Sequence, residues 1–134
     1  MRLRVLGCSG GVGAGLKTTS FLLDDDVLID AGTGVELLTM AEMVAVKRVF
    51  ITHSHLDHVV GLPLMLATTF MERSSPMEVH APPVVIEALR RHVFNWTMWP
   101  DYTDLPGVET AVRLHDFAEG DSLTIDGRQV VSWP

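Results

Sequence analysis

With a single cysteine, Cys8, in 134 residues, the chain cannot close an internal disulfide, and a reducing cytoplasm is the expected compartment. No apolar run approaches the roughly 18 residues that a bilayer span requires, so no membrane-spanning helix is expected. The start, Met1-Arg2-Leu3-Arg4-Val5-Leu6-Gly7, lacks the apolar stretch and small-residue cleavage site of a secretory signal. Positive charge is scarce too: 10 Lys and Arg stand against 17 Asp and Glu, a formal net charge of −7. Proteins that grip nucleic acid draw most of their affinity from neutralising phosphates. The balance therefore disfavours a large RNA or DNA partner and favours a small substrate, and the longest basic cluster is only Arg90-Arg91-His92. Internal repeats, low-complexity tracts and interdomain linkers are also lacking.

What is present is a packable chain. Hydrophobic residues make up 47% of it and the mean hydropathy is +0.25, the opposite of the signature of disorder. The length suits one domain with a real core. Residues 2–6 read as a strand, followed by a glycine-rich loop over 7–15. Short apolar runs at 20–23 and 27–29, broken by Asp24-Asp25-Asp26, predict a hairpin. Asp30-Ala31-Gly32-Thr33-Gly34 is a turn by composition. Residues 35–45, 61–72 and 83–94 have helical composition or spacing, the last entered through Pro82-Pro83. Further strands are expected at 48–51, 77–80, 110–115, 122–125 and 128–132, with an irregular stretch over 95–107. Strands alternating with helices imply an α/β domain, a mixed sheet covered by helices on one face.

Directly after the apolar strand Arg48-Val49-Phe50-Ile51 comes Thr52-His53-Ser54-His55-Leu56-Asp57-His58. Imidazole nitrogen and carboxylate oxygen are the donors that zinc and related divalent ions take. On a helix, His53 and His55 would diverge by about 200°. In an extended segment, side chains two apart point the same way. The pair can therefore share an ion only if the chain leaves the strand as a loop. Asp57 and His58 then fall near the start of the next helix, where they can face a second ion. Two ions about 4 Å apart clamp a phosphoryl or carbonyl oxygen and activate water.

His-x-His-x-Asp-His resembles the signature of the metallo-β-lactamase superfamily. The form here, His53-Ser54-His55-Leu56-Asp57-His58-Val59-Val60-Gly61-Leu62, is most similar to class II cyclic-nucleotide phosphodiesterases. Three more stretches share that likeness: Leu6-Gly7-Cys8-Ser9-Gly10-Gly11, Leu28-Ile29-Asp30-Ala31-Gly32-Thr33-Gly34, and His92-Val93-Phe94-Asn95 with Trp99-Pro100-Asp101. Ribonuclease Z-type enzymes share the first two, but more often carry Gly or Ala between the second His and the Asp.

The resemblance implies the N-terminal half of an αββα sandwich and a centre of two divalent ions, zinc in the first instance, with manganese or iron as alternatives. It places His53 and His55 on one ion and Asp57 and His58 on the other. Asp57 also orients the attacking hydroxide, and Asp30 braces the loop. His92 and Asn95 are candidate substrate contacts. The implied reaction is hydrolysis of 3′,5′-cyclic nucleotides to 5′-monophosphates, with a small phosphodiester as the partner. The alternatives are a ribonuclease Z-like endonuclease and a metal-binding fragment without turnover. The last arises because an ion takes about four ligands, whereas this chain supplies two for each. His80, His92 and His115 are expected to be structural or solvated rather than ligands. In the family the strand matching 128–132 leads to the next ligand, but here Trp133-Pro134 follows. Residues 1–134 are accordingly expected to be an incomplete domain whose open apolar face invites homo-oligomerisation.

Other readings are weaker. Gly11, Gly13 and Gly15 match neither a dinucleotide fingerprint nor a P-loop, though free amides in that loop could touch a phosphate. Cys8 and Ser9 have no base nearby in sequence to make them nucleophiles. Trp96, Trp99 and Tyr102 could stack on a base, or could simply pack.

Overall fold

A computed structural model describes residues 1–133, and Pro134 lies outside the described residues. Six strands form one mixed sheet in chain order: β1 (Leu3–Gly7), β2 (Ser20–Leu23), β3 (Val27–Ile29), β4 (Arg48–Phe50), β5 (Met77–Ala81) and β6 (Val112–Asp116). The first two pairings are antiparallel and the last three are parallel. The hairpin expected around Asp24-Asp25-Asp26 forms, and Asp24 takes the left-handed conformation at φ 51°. The parallel strands are joined through α1 (Met40–Ala45), α2 (Leu56–Val59), α3 (Gly61–Thr69) and α4 (Pro83–Ala88), as parallel connections require.

Strand alternation sorts the two faces. Leu22, Leu28, Val49, Val79 and Leu114 lie in cross-strand register and meet Leu62, Met65, Leu66, Val85, Ile86 and Leu89 from the helical layer. Each side chain removed from water contributes about 1.5–3 kcal/mol, so this row and the helices above it hold the domain together. On the reverse face Ile29, Phe50, His80 and His115 form the next row. The rings of Phe50 and His80 stack at 5.0 Å, and those of His80 and His115 at 4.9 Å.

Three helical stretches are more broken than their composition suggests. Residues 33–37 make a 3-10 turn, and α1 starts afresh at Met40 behind a capping box between Thr39 and Glu42. The stretch after the histidines divides into α2 and α3, followed by a 3-10 turn at Phe70–Glu72. The helix begun at Pro83 widens into a π-turn over Leu89–Val93, closed by Phe94 N donating to Leu89 O at 2.9 Å.

β7 (Ser122–Ile125) and β8 (Arg128–Val131) pair only with each other and form a separate two-stranded sheet. Ile125 packs on Val27 and Phe50, so the hairpin lies across the reverse face. Arg128 fastens it there, reaching Asp24 Oδ2 at 2.9 Å and both oxygens of Asp26 at 2.8 and 2.7 Å. Between hairpin and sheet remains an apolar cavity of about 480 Å³ lined by Phe50, His80, Phe117, Val130 and Trp133, which extends up to Thr52. Among the described residues, no helix is long and apolar enough to cross a membrane.

Candidate metal centre

β4 ends at Phe50, and the chain runs as a loop until α2 starts at Leu56, with His55 at its N-cap in extended conformation (φ −62°, ψ 144°). His53 and His55 therefore leave the strand in the loop conformation that two-apart donors need. Their ring centroids lie 4.7 Å apart, and His53 and His58 are closer still, at 4.0 Å. Asp57 sits in the first turn of α2 with its Oδ2 3.4 Å from His58 Nε2. The turn is closed by His58 N donating to His55 O at 2.9 Å. Four candidate donors, His53, His55, Asp57 and His58, thus follow one another in the loop after β4 and the first turn of α2.

Asp30 governs how they are presented. It ends β3 in the left-handed region at φ 58°, is 2% exposed, and accepts Thr52 N at 2.8 Å. The Thr52 hydroxyl donates to the same carboxylate, at 2.9 Å to Oδ2, and His58 Nδ1 meets Oδ2 at 2.8 Å. A carboxylate only accepts, so His58 carries a proton on Nδ1 and turns Nε2 toward Asp57. Because the Thr52 hydroxyl gives its proton to Asp30, its oxygen accepts from His53 Nδ1 at 3.0 Å, and His53 also offers Nε2. One buried carboxylate thereby sets two tautomers, directly and through Thr52. This is the arrangement by which proteins orient metal-binding imidazoles.

Close backbone contacts hold the loop against the turn after β3. Ala31 N donates to His58 O, and Gly61 N to Ala31 O, both at 2.8 Å. A Cβ on Gly32 would collide with the carbonyl of Asp57 and the hydroxyl of Thr18, and one on Gly61 with the carbonyl of Gly32. Glycine at 32 and 61 is what lets the two segments touch.

The donor chemistry of imidazole and carboxylate suits zinc and similar divalent ions. Among the described residues, however, no three His, Cys, Asp or Glu side chains converge closely enough to hold an ion between them.

The remaining predicted residues separate. His80 stands in the reverse-face row, and burial, reinforced by the neighbouring His115, lowers its pKa to about 4, so it is neutral at pH 7. His115 is paired with Glu78 on that same face. His92 is exposed at the rim of a second cavity described below. Asn95 spends its side chain on its own turn: Nδ2 donates to Arg91 O at 3.0 Å, and Oδ1 accepts Thr97 N and Met98 N at 3.0 and 2.8 Å. Tyr102 is buried against Phe70 and Phe94. Thr52, adjacent to His53 in sequence, is the residue that the motif alone did not single out.

Comparison with known proteins gives the family and the fold. The family of cAMP phosphodiesterases class-II matches residues 36–132. A ribonuclease Z from Natronomonas pharaonis is 36% identical over 89 residues, covering 61% of this chain and 29% of its own. A probable 3′,5′-cyclic-nucleotide phosphodiesterase from Yersinia pestis is 37% identical over 60 residues, 45% of this chain and 16% of its own. Unliganded yeast PDE1 superposes with a TM-score of 0.72 at 17% identity, over 92% of this chain and 52% of that one. The metallo-β-lactamase fold protein YhfI from Bacillus subtilis follows with 0.66 at 19%, over 91% and 48%. The chain spans less than half the length of these curated relatives. With the match running from the turn after β3 to the end of β8 and the superposition covering nearly every element, the chain belongs to the class-II cAMP phosphodiesterases and has the metallo-β-lactamase fold.

Proposed function

We propose that this chain carries the N-terminal half of a two-ion centre that hydrolyses 3′,5′-cyclic nucleotides to 5′-monophosphates. The observation that carries the reading is the Asp30–Thr52 network, which engages Nδ1 of both His53 and His58 and leaves their Nε2 atoms available, that of His58 lying 3.4 Å from Asp57 Oδ2. His53 and His55 would hold one ion, and Asp57 and His58 the other. Divalent ions bound there, zinc first among them and manganese or iron as alternatives, would polarise phosphoryl oxygens and acidify water. The chain's own contribution is orientation. Asp30 keeps the proton on Nδ1 of His58, Thr52 does the same for His53, and Asp57 positions the attacking water through its carboxylate. The glycine-rich loop after β1 borders a small cavity in which backbone amides could steady an anionic phosphate, the Lys17 ammonium at its edge being paired with Glu36. Further ligands would come from residues beyond this chain, a reading supported by the limited share of its relatives that the chain spans.

A ribonuclease Z-like activity is the second reading, favoured by the Natronomonas pharaonis relative. The net charge of −7 weighs against a large RNA substrate, and Leu56 stands between His55 and Asp57, as in the phosphodiesterase form of the motif. The deciding experiment offers cyclic AMP and precursor tRNA to a longer protein containing this chain. Metal-dependent hydrolysis of cyclic AMP, lost in Asp57→Ala, is the expected result. Cleavage of tRNA with no attack on cyclic AMP would overturn the assignment. The 134-residue chain alone, tested beside it with bis-p-nitrophenyl phosphate, is expected to bind metal without turnover.

A further inference from the structure

We propose that the apolar pocket behind the metal loop is the subsite for the base of the nucleotide, a role that rests on the phosphodiesterase reading and adds where the substrate's heteroaromatic ring lies. The pocket holds about 430 Å³, within the roughly 300–1,000 Å³ of small-molecule sites. One wall is the metal loop and the helices after it, through Ser54, Leu56, Val60 and Leu64. The other is the π-turn and the segment beyond, through Leu89, His92, Met98 and Trp99.

The pocket's make-up points to a flat, mostly apolar ligand. Ser54 and Leu56 belong to the same short segment as His53, His55 and Asp57, so the pocket borders the loop that carries the candidate metal donors. The lining combines an indole, a thioether and branched aliphatic chains, the surfaces on which a base stacks and packs. Leu56, Leu64 and Met98 stay 70%, 50% and 70% exposed around it, although apolar side chains of this size gain by burial. The indole Nε1 of Trp99 is buried without a partner among the described residues, a state that few groups in a native protein keep. Polar groups are confined to Ser54 and His92, the pattern of a site in which packing gives affinity and one or two hydrogen bonds choose the ligand. The π-turn places His92 at the rim, and local widening of this kind recurs at functional sites.

The test titrates adenosine, and separately ribose 5-phosphate, into the metal-free chain while tryptophan fluorescence is followed. Adenosine is expected to give a saturable change and ribose 5-phosphate none. Leu64→Arg and Met98→Asp, both at exposed positions, should each weaken adenosine at least about fivefold, as loss of base packing does. Met71→Arg, equally apolar and 75% exposed but outside the pocket, should leave binding unchanged. Equal adenosine affinity in all four proteins, or no adenosine binding, would overturn the subsite. So would a signal that follows only self-association in sedimentation, which would make the patch a contact between copies. In a longer active form, cyclic AMP hydrolysis with KM untouched by Leu64→Arg and Met98→Asp would overturn the subsite and spare the phosphodiesterase reading. Adenosine binding without any hydrolysis of cyclic AMP by that form would do the reverse.

Discussion

Replacing Asp30 by Asn changes one atom of a buried side chain and should disable the centre while sparing the fold. Asn tolerates the left-handed conformation that Asp30 adopts at φ 58°, and its carbonyl can still accept Thr52 N, now at 2.8 Å. Its amide then faces His58 Nδ1, at present 2.8 Å from Oδ2. Two donors cannot share that contact, so His58 must move its proton to Nε2, the atom that would otherwise hold an ion. Loss of such a partner weakens metal binding about 10–100-fold, or about 1.4–2.8 kcal/mol. Asp30→Ala adds a stability cost. It strains a left-handed residue by about 1–2 kcal/mol and leaves a buried donor unpaired for about 1–3 kcal/mol more, so about 2–5 kcal/mol in all. Urea unfolding in chelator gives the stability of each variant, and zinc competition against a chromogenic chelator gives the affinity. The reasoning is refuted if Asp30→Asn binds zinc as tightly as the parent chain, or if it unfolds as readily as Asp30→Ala.

Gly32→Ala pushes a methyl into the carbonyl of Asp57 and should cost at least about 2 kcal/mol. Gly10→Ala, with open space around it, should leave the thermal midpoint unchanged. Arg128→Met should loosen the β7–β8 hairpin and lower stability by about 1–2 kcal/mol in denaturant titration at pH 7. The Arg128 guanidinium holds the Asp26 carboxyl below its ordinary range. That stabilisation is complete above the ordinary carboxylate pKa and fades as pH falls through the depressed one, so parent and Arg128→Met should converge in acid. His80 is held down to about 4 by burial, against an ordinary 6.5. The unfolded chain therefore takes up a proton between these values that the folded chain refuses, and stability falls as pH drops from 6.5 toward 4. His80→Phe, which keeps a ring in the stack on Phe50, should flatten that limb of a stability–pH curve.

Much of the fold was legible because its signals are short-ranged. The short apolar runs of β2 to β4 and the abrupt change from Phe50-Ile51 to the histidines both lie within a few residues, and the mixed sheet with helices on one face follows from the order of the elements. The errors lie where spacing is degenerate or partners are distant. Residues 83–94 keep the same apolar face whether Phe94 N reaches residue 89 or 90, so periodicity cannot reveal the π-turn. The break at Leu38-Thr39 had a readable mark, Thr39 three residues before Glu42, that the helical composition of 35–45 obscured. Nothing local tells β7 and β8 to leave the main sheet. Their position depends on Arg128 meeting carboxylates about a hundred residues earlier in the chain. At the site, residue types show that His53, His55, Asp57 and His58 can donate. That Thr52 relays Asp30 to His53 is a matter of three-dimensional contact. Resemblance marks Asn95 as a candidate substrate contact, and only the three-dimensional contacts show that its side-chain carbonyl also closes the turn that sets Met98 in place.

The central claim is that these four side chains are ion ligands presented in pairs, and calorimetric titration of zinc into the purified chain tests it most directly. Zinc is expected to bind the parent chain with measurable heat. His53→Ala and His58→Ala should each weaken binding, and the change of His53, His55, Asp57 and His58 together to Ala should abolish it with the folded spectrum retained. Zinc binding of equal strength in the parent and the fourfold variant, or none in the parent, would contradict the account.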